Sequence, residues 1–236
     1  MLPGAMIPLR DNVRSSTAPL VTVALIAINL LVFLHERALG PHLERFVLAY
    51  GLVPARLVHW PGDPLDPARF LPLLTSMFWH GGWLHLLGNL LYLWIFGDNV
   101  EDKLGHGRYL VFYLLGGLGA ALVQIVLAPE SRLPTIGASG AIAAVLGAYL
   151  VSFPRSRVLT FIPIFFVPWV VEIPAVVYLA GWFLIQILSG LLSLHSPAFG
   201  GVAWGAHVGG FLAGIALVKI LAPARSRPLP ARGHLL

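Results

Sequence analysis

Pro134-Thr135-Ile136-Gly137-Ala138-Ser139-Gly140-Ala141-Ile142-Ala143-Ala144-Val145-Leu146-Gly147-Ala148-Tyr149-Leu150-Val151-Ser152-Phe153-Pro154 decides how this chain is read. A loop carrying proline passes through a Gly-Ala-Ser-Gly step into an uncharged run of small residues, which stops at Pro154-Arg155. A serine between glycines at a helix start is, alone, more often capping and packing than chemistry. A second Gly-rich apolar run, Gly205-Ala206-His207-Val208-Gly209-Gly210, adds a histidine, and a third adds His80, His85 and Asn89. Together they read as the parts of a serine peptidase inside a membrane.

The composition supports that setting. Of 236 residues, 58% are hydrophobic and 11% charged, against about 25% charged in an average soluble domain. This excludes an ordinary soluble globule and indicates an all-α, polytopic membrane protein forming one helical bundle. The net charge of +5 does not indicate a nucleic-acid partner, because the basic residues are scattered and gather only at the ends of apolar runs. With no cysteine, disulfides and thiolate metal sites are excluded. The first apolar run begins near Pro19 with no small-residue cleavage site after it, so it is expected to be a span and not a cleavable signal.

Residues 1–17 form a polar lead, residues 18–222 the helical domain, and residues 223–236 an Arg/Pro-rich tail. The first span covers 18–34, with Asn29 as an interhelical hydrogen bonder. Residues 35–75 form a long first loop lying at the interface as short amphipathic helices. The second span covers about 77–97 and holds His80, His85 and Asn89; a charged turn at 98–103 follows. Further spans are placed at 109–127, 139–153, about 173–194 and about 202–221, which makes six. The proline-interrupted part before the fifth is assigned to an interfacial loop. Ten Lys and Arg fall on the side of the termini and five on the other, so both termini are expected in the cytoplasm.

Counting from the helix ends at 1.5 Å per residue, Ser139, His207 and His85 all stand about 20–24 Å above the inner edge of a core about 30 Å thick, with Asn89 one turn below His85. Four polar residues on three helices thus share one level. A serine hydroxyl needs a base to remove its proton, and histidine is the usual one. The oxyanion formed needs preorganised donors, for which the Ser139 backbone N–H, His85 and Asn89 are the candidates. All ten carboxylates lie in loops or at span ends, so the expectation is a Ser139–His207 dyad with no buried Asp or Glu to orient the histidine. Gly201, Gly205, Gly209, Gly210 and Gly214 are expected to face Gly140, Ala144, Gly147 and Ala148 so that the two backbones approach closely. His80 and His85 lie five apart with no His-Glu-x-x-His and no acidic partner, so no metal site is assigned. The nucleophile-elbow pattern would need glycine where Ala141 stands, which argues against an α/β-hydrolase.

His80-x4-His85-x3-Asn89, Glu101-x-Lys103-x-Gly105, Gly137-Ala138-Ser139-Gly140 and Ala206-His207-x2-Gly210 occur in that order. In them the chain resembles the rhomboid intramembrane serine proteases from its first span to its sixth. The resemblance implies a bacterial-type, six-helix form in a bacterial inner membrane. Ser139 would be the nucleophile, His207 the general base and acid, and His85, Asn89 and Ser139 the oxyanion hole. His80, Gly137, Gly140 and Gly210 would be structural, and no cofactor would be needed. The implied substrates are single-span membrane proteins, cut near the outer face within the lipid. The loop at 195–201 would cap the site, and the fifth span would border substrate entry. Two positions depart from the pattern. Leu71-Pro72 stands where some members carry Trp-Arg, and Ala143 stands where some carry a tyrosine that stacks on the histidine. The alternatives are a rhomboid-like pseudoprotease that binds membrane clients without cleaving them, and a small-solute transporter. The first usually lacks the serine or the histidine, and no inverted repeat supports the second.

Overall fold

The structure, a computed structural model, describes residues 6–164, 167–193 and 202–223. The expected cap at 195–201, Gly201 and most of the tail lie outside the described residues. The chain is mostly helical. Strand β1 (Ile7–Asp11) is followed by α1 (Leu20–Ala38), then by short helices α2 (Leu43–Tyr50), α3 (Pro54–Val58) and α4 (Pro67–Thr75). Next come α5 (Trp83–Leu104), α6 (His106–Leu127) and α7 (Ser139–Ser152), strands β2 (Arg157–Ile164) and β3 (Val167–Pro174), and α8 (Ala175–Ser193) and α9 (Trp204–Leu221). Four of these, α1, α6, α8 and α9, are long and apolar enough to cross a membrane.

Helix α7 is the centre. Every residue from Gly140 to Tyr149 is buried, as expected for a helix apolar on all sides. It packs against α5, α6, α8 and α9, and α1 packs outside α5. Its 14 residues make it about 21 Å long, short of a hydrocarbon core of about 30 Å. If its C-terminus is held at one face, Ser139 at its N-terminus remains below the other.

The glycines of α9 serve two neighbours and not one. A Cβ on Gly210 or Gly214 would strike the α7 carbonyls of Gly140 and Ala144, and one on Gly147 would strike the Phe211 backbone. Gly205 and Gly209 instead face Gln124 and Val123 on α6. The expected single glycine stripe against α7 is therefore two faces wedged between two helices.

The all-α expectation is corrected by a three-stranded antiparallel sheet, ordered β1-β2-β3. It takes in the stretch assigned to an interfacial loop and part of the polar lead. Pro163 pairs opposite Pro168 near the turn and Pro174 closes β3, positions where a missing N–H costs least. Val158 and Thr160 are fully buried, which the loop assignment did not anticipate.

Helix α5 also differs from expectation: it starts at Trp83, leaving His80 in the turn before it, and runs through the charged 98–103 segment to Leu104. Its carboxylates are taken up by the end of the N-terminal lead and the start of α1. The buried Glu101 carboxylate accepts the Val21 and Thr22 backbone N–H groups at 2.8 and 2.7 Å and the Thr22 hydroxyl at 2.7 Å. This caps an α1 start that has no side-chain cap of its own. Asp102 accepts from the Ser16 and Thr17 backbone N–H groups at 2.8 and 3.1 Å. Asn29 donates from its amide to Leu25 O of its own helix at 2.7 Å, and its side chain also meets the Tyr113 hydroxyl of α6, in keeping with an interhelical role.

The segment between α1 and α5 is anchored without Trp-Arg. The Arg56 guanidinium donates to Leu48 O, to Ala49 O at 3.1 Å and to Gly51 O at 3.3 Å, capping the end of α2. Arg69 Nε donates to Leu57 O at 2.9 Å. Leu52 and Thr135 exchange backbone hydrogen bonds at 3.0 and 2.7 Å, which ties this segment to the loop that delivers Ser139.

Candidate active site

Four helices, α5, α7, α8 and α9, deliver the polar groups. The Leu52–Thr135 bridge and a Gly137 N–H bond to Ser76 O at 2.9 Å hold the strand-like approach to α7. Gly137 then turns with φ +124°, and a Cβ there would lie 2.7 Å from the His85 imidazole. Both features demand glycine. Ser139 follows as the first residue of α7, where its backbone N–H has no intrahelical acceptor.

Ser139 Oγ and His207 Nε2 are 2.8 Å apart. The opposite ring nitrogen, Nδ1, lies 2.8 Å from Gln186 Oε1 on α8. Trp182 tilts over the His207 ring with centroids 5.9 Å apart, and Trp204 meets it edge-on at 6.1 Å. These two rings flank His207 from α8 and α9, whereas position 143 on α7 carries no ring. Ala143 is itself fully buried, and its Cβ lies where a Cβ on Gly210 would crowd it. The start of α9 is steadied by Gln124, whose Oε1 accepts the Ala206 N–H at 3.1 Å.

His85 and Asn89 approach from α5. The Gly81 N–H donates to His85 Nδ1 at 3.3 Å, so His85 carries its proton on Nε2, the nitrogen against Gly137. Asn89 is 7% exposed, and its Nδ2 has no hydrogen-bond partner. Such an orphan donor is uncommon in a protein interior. His85, Asn89, Ser139 and His207 line one cavity of about 240 Å³ with Tyr92 and Trp182. A second cavity of about 280 Å³ opens from Ser139 towards Ser76, Met77 and Thr135.

His80 does not reach Ser139. It donates from Nδ1 to Phe78 O at 3.2 Å, and its ring meets that of His85 at 5.2 Å. Its backbone N–H is accepted by Glu36, 3.0 Å away. Glu36, Glu101 and Asp11 are all buried, which corrects the expectation of no buried carboxylate. The hydrogen-bond partners found for His207 are nonetheless Ser139 and Gln186. Sequence reasoning missed Gln186. The available signal was a lone amide in the otherwise apolar run Ala175–Ser193. Among the described residues, no three His, Cys, Asp or Glu side chains group to hold an ion.

Residues 67–224 match the rhomboid domain. The chain belongs to the rhomboid family. It is 28% identical to the mitochondrial presenilin-associated rhomboid-like protein A of Danio rerio over 81% of its own length and 45% of that protein. It is 31% identical to the mitochondrial presenilin-associated rhomboid-like protein of Homo sapiens over 60% of its length and 35% of that protein. Mitochondrial rhomboid protein 1 of Saccharomyces cerevisiae is 28% identical over 70% of the chain and 46% of the yeast protein. The chain thus spans less than half the length of these relatives. Their names overturn the bacterial inner membrane expected above, and with it the assignment of both termini to the cytoplasm: these similar rhomboid proteins are mitochondrial. The bacterial-type label falls for the same reason.

Proposed function

We propose that this rhomboid-family chain is an intramembrane serine endopeptidase working through a Ser139–His207 dyad. The observation that carries the reading is the 2.8 Å Ser139 Oγ–His207 Nε2 hydrogen bond, at a cavity whose wall also holds an unused amide donor. Ser139 Oγ attacks a peptide carbonyl as its proton passes to His207 Nε2. The oxyanion takes the Ser139 backbone N–H, the Asn89 Nδ2–H and the His85 Nε2–H. On collapse the C–N bond breaks, and the leaving amine takes the proton from His207. Water, deprotonated by the same nitrogen, then attacks the acyl carbonyl; the ester C–O bond breaks, and Ser139 Oγ takes the proton back from His207 as the acid product leaves. His80 supports His85 by ring contact, and Gly137, Gly140 and Gly210 allow the close approaches.

The same reading makes α1, α5, α6, α7, α8 and α9 the six spans, with α2, α3 and α4 lying at the interface. The substrates are single-span membrane proteins, entering from the lipid and cut near the face towards which the α7 N-terminus opens. Membrane lipid is the surrounding partner, and apart from substrate and water each chemical step above uses only groups of this chain.

The test is cleavage of a single-span substrate by the purified protein in detergent, beside Ser139→Ala and His207→Ala. Both variants should be inactive, and a fluorophosphonate should label the parent at Ser139 only. Cleavage by either variant at the parent rate would overturn the dyad.

A further inference from the structure

We propose that Gln186 is the positioning residue for His207, a neutral amide standing where other serine peptidases place a carboxylate. The inference rests on the dyad reading and adds a third, uncharged member to it.

A histidine acts as base at Nε2 only if its proton sits on Nδ1, and an acceptor at Nδ1 is what secures that tautomer. An amide side chain is ambiguous in this respect. Turned one way it offers oxygen and selects the Nδ1–H form; turned the other it offers N–H and selects the form whose Nε2–H would point uselessly at Ser139. The surroundings decide the turn. Gln186 Nε2 lies 3.2 Å from the Trp182 carbonyl oxygen, one helical turn back on α8. A carbonyl oxygen can only accept, so the amide nitrogen must face it. The amide oxygen is then the atom left for His207 Nδ1, at 2.8 Å. A flipped amide would set its oxygen against the Trp182 carbonyl oxygen and forfeit that bond.

The chain Ser139, His207, Gln186, Trp182 O therefore has one consistent direction of donation, beginning with an unprotonated Nε2 whose lone pair accepts from the Ser139 hydroxyl. Burial reinforces it. Gln186 is 6% exposed, so water competes little for either end of the amide. The helix carrying Gln186 is held to α9 beside this point by the stacked rings of Trp182 and Phe211, 6.1 Å apart, and of Phe183 and Phe211, 4.4 Å apart. A neutral partner also suits the setting, because a carboxylate here would need a counter-charge that an apolar span does not supply.

The experiment uses the full-length protein labelled with 15N-histidine in detergent, with His207 assigned by subtracting the His207→Ala spectrum. In the parent, His207 should show a protonated Nδ1 and an unprotonated Nε2. Gln186→Leu should give a mixture of tautomers and lower kcat by about 10–100-fold, with KM changed less than threefold. Gln186→Glu keeps an acceptor and should retain the parent tautomer with at least a tenth of its kcat. A Gln186→Leu protein with the parent tautomer and kcat would overturn the proposal, as would a parent whose His207 is protonated on Nε2. The nitrogen signature is read without any substrate. A parent that cleaves nothing yet shows Gln186-dependent Nδ1 protonation would therefore refute the protease reading and uphold this contact.

Discussion

Replacing Gly137 with alanine tests the site through a single methyl group. The φ of +124° lies where an L side chain is strained, and the new Cβ would stand 2.7 Å from Cε1 and Nε2 of His85. Ordinary contact begins near 3.4 Å, so the imidazole must withdraw by about 0.7 Å or the α7 approach must shift by as much. Backbone strain of this kind costs about 1–3 kcal/mol, to be read as a lowered melting point in detergent. The larger effect should be on rate. A displacement near 1 Å in a catalytic group costs about 100-fold, and losing one oxyanion donor costs about 100–1,000-fold. Gly137→Ala should therefore lower kcat by about 100-fold with little change in KM, since the displaced donor acts on the oxyanion and not on the bound substrate. The assay is initial-rate cleavage of a single-span substrate in detergent across a range of substrate mole fractions. A folded Gly137→Ala protein with the parent kcat would refute both the proximity of His85 to the reacting oxygen and its role as donor.

Asn89→Ala should lower kcat by about 100–1,000-fold without lowering the melting point, because the amide it removes makes no bond from Nδ2; an unchanged rate would remove Asn89 from the oxyanion hole. Glu101→Ala should destabilise the protein by about 1–3 kcal/mol for each buried donor it strands at the start of α1, measured as a lower thermal midpoint, with Glu101→Gln milder. Gly214→Val should prevent the close packing of α9 on α7 and yield little folded protein, as judged by size-exclusion profile. Gly181→Ala, where a Cβ meets nothing within 4 Å, should be tolerated and add about 0.5–1 kcal/mol through helix propensity.

Much was legible without coordinates because it rests on local physics. Apolar runs bounded by charge and proline mark helices in lipid wherever the rest of the chain goes, and the rise per residue sets depth along each. Ser139, His207, His85 and Asn89 could be brought to one level by counting from helix ends, and they do line one cavity. The sheet was not legible in the same way. Residues 157–174 are apolar and proline-broken, and only pairing with Ile7–Asp11, some 150 residues earlier, makes them strands. The charged 98–103 segment resembled a turn because its partners, Ser16, Thr17, Val21 and Thr22, lie on another part of the chain.

The sequence by itself determined the membrane class, the order of the motifs and the pairing of a serine with a histidine. Hydrophobic partition and helix rise depend only on neighbours along the chain. The tertiary structure alone decided what stands behind that histidine. Which side chain of one helix meets a ring on another depends on the rotation and tilt of both, and these are fixed by Gly210 and Gly214 wedging α9 onto α7 and by the rings joining α8 to α9. That packing brings Gln186 to His207, a meeting that no spacing within either run could have shown.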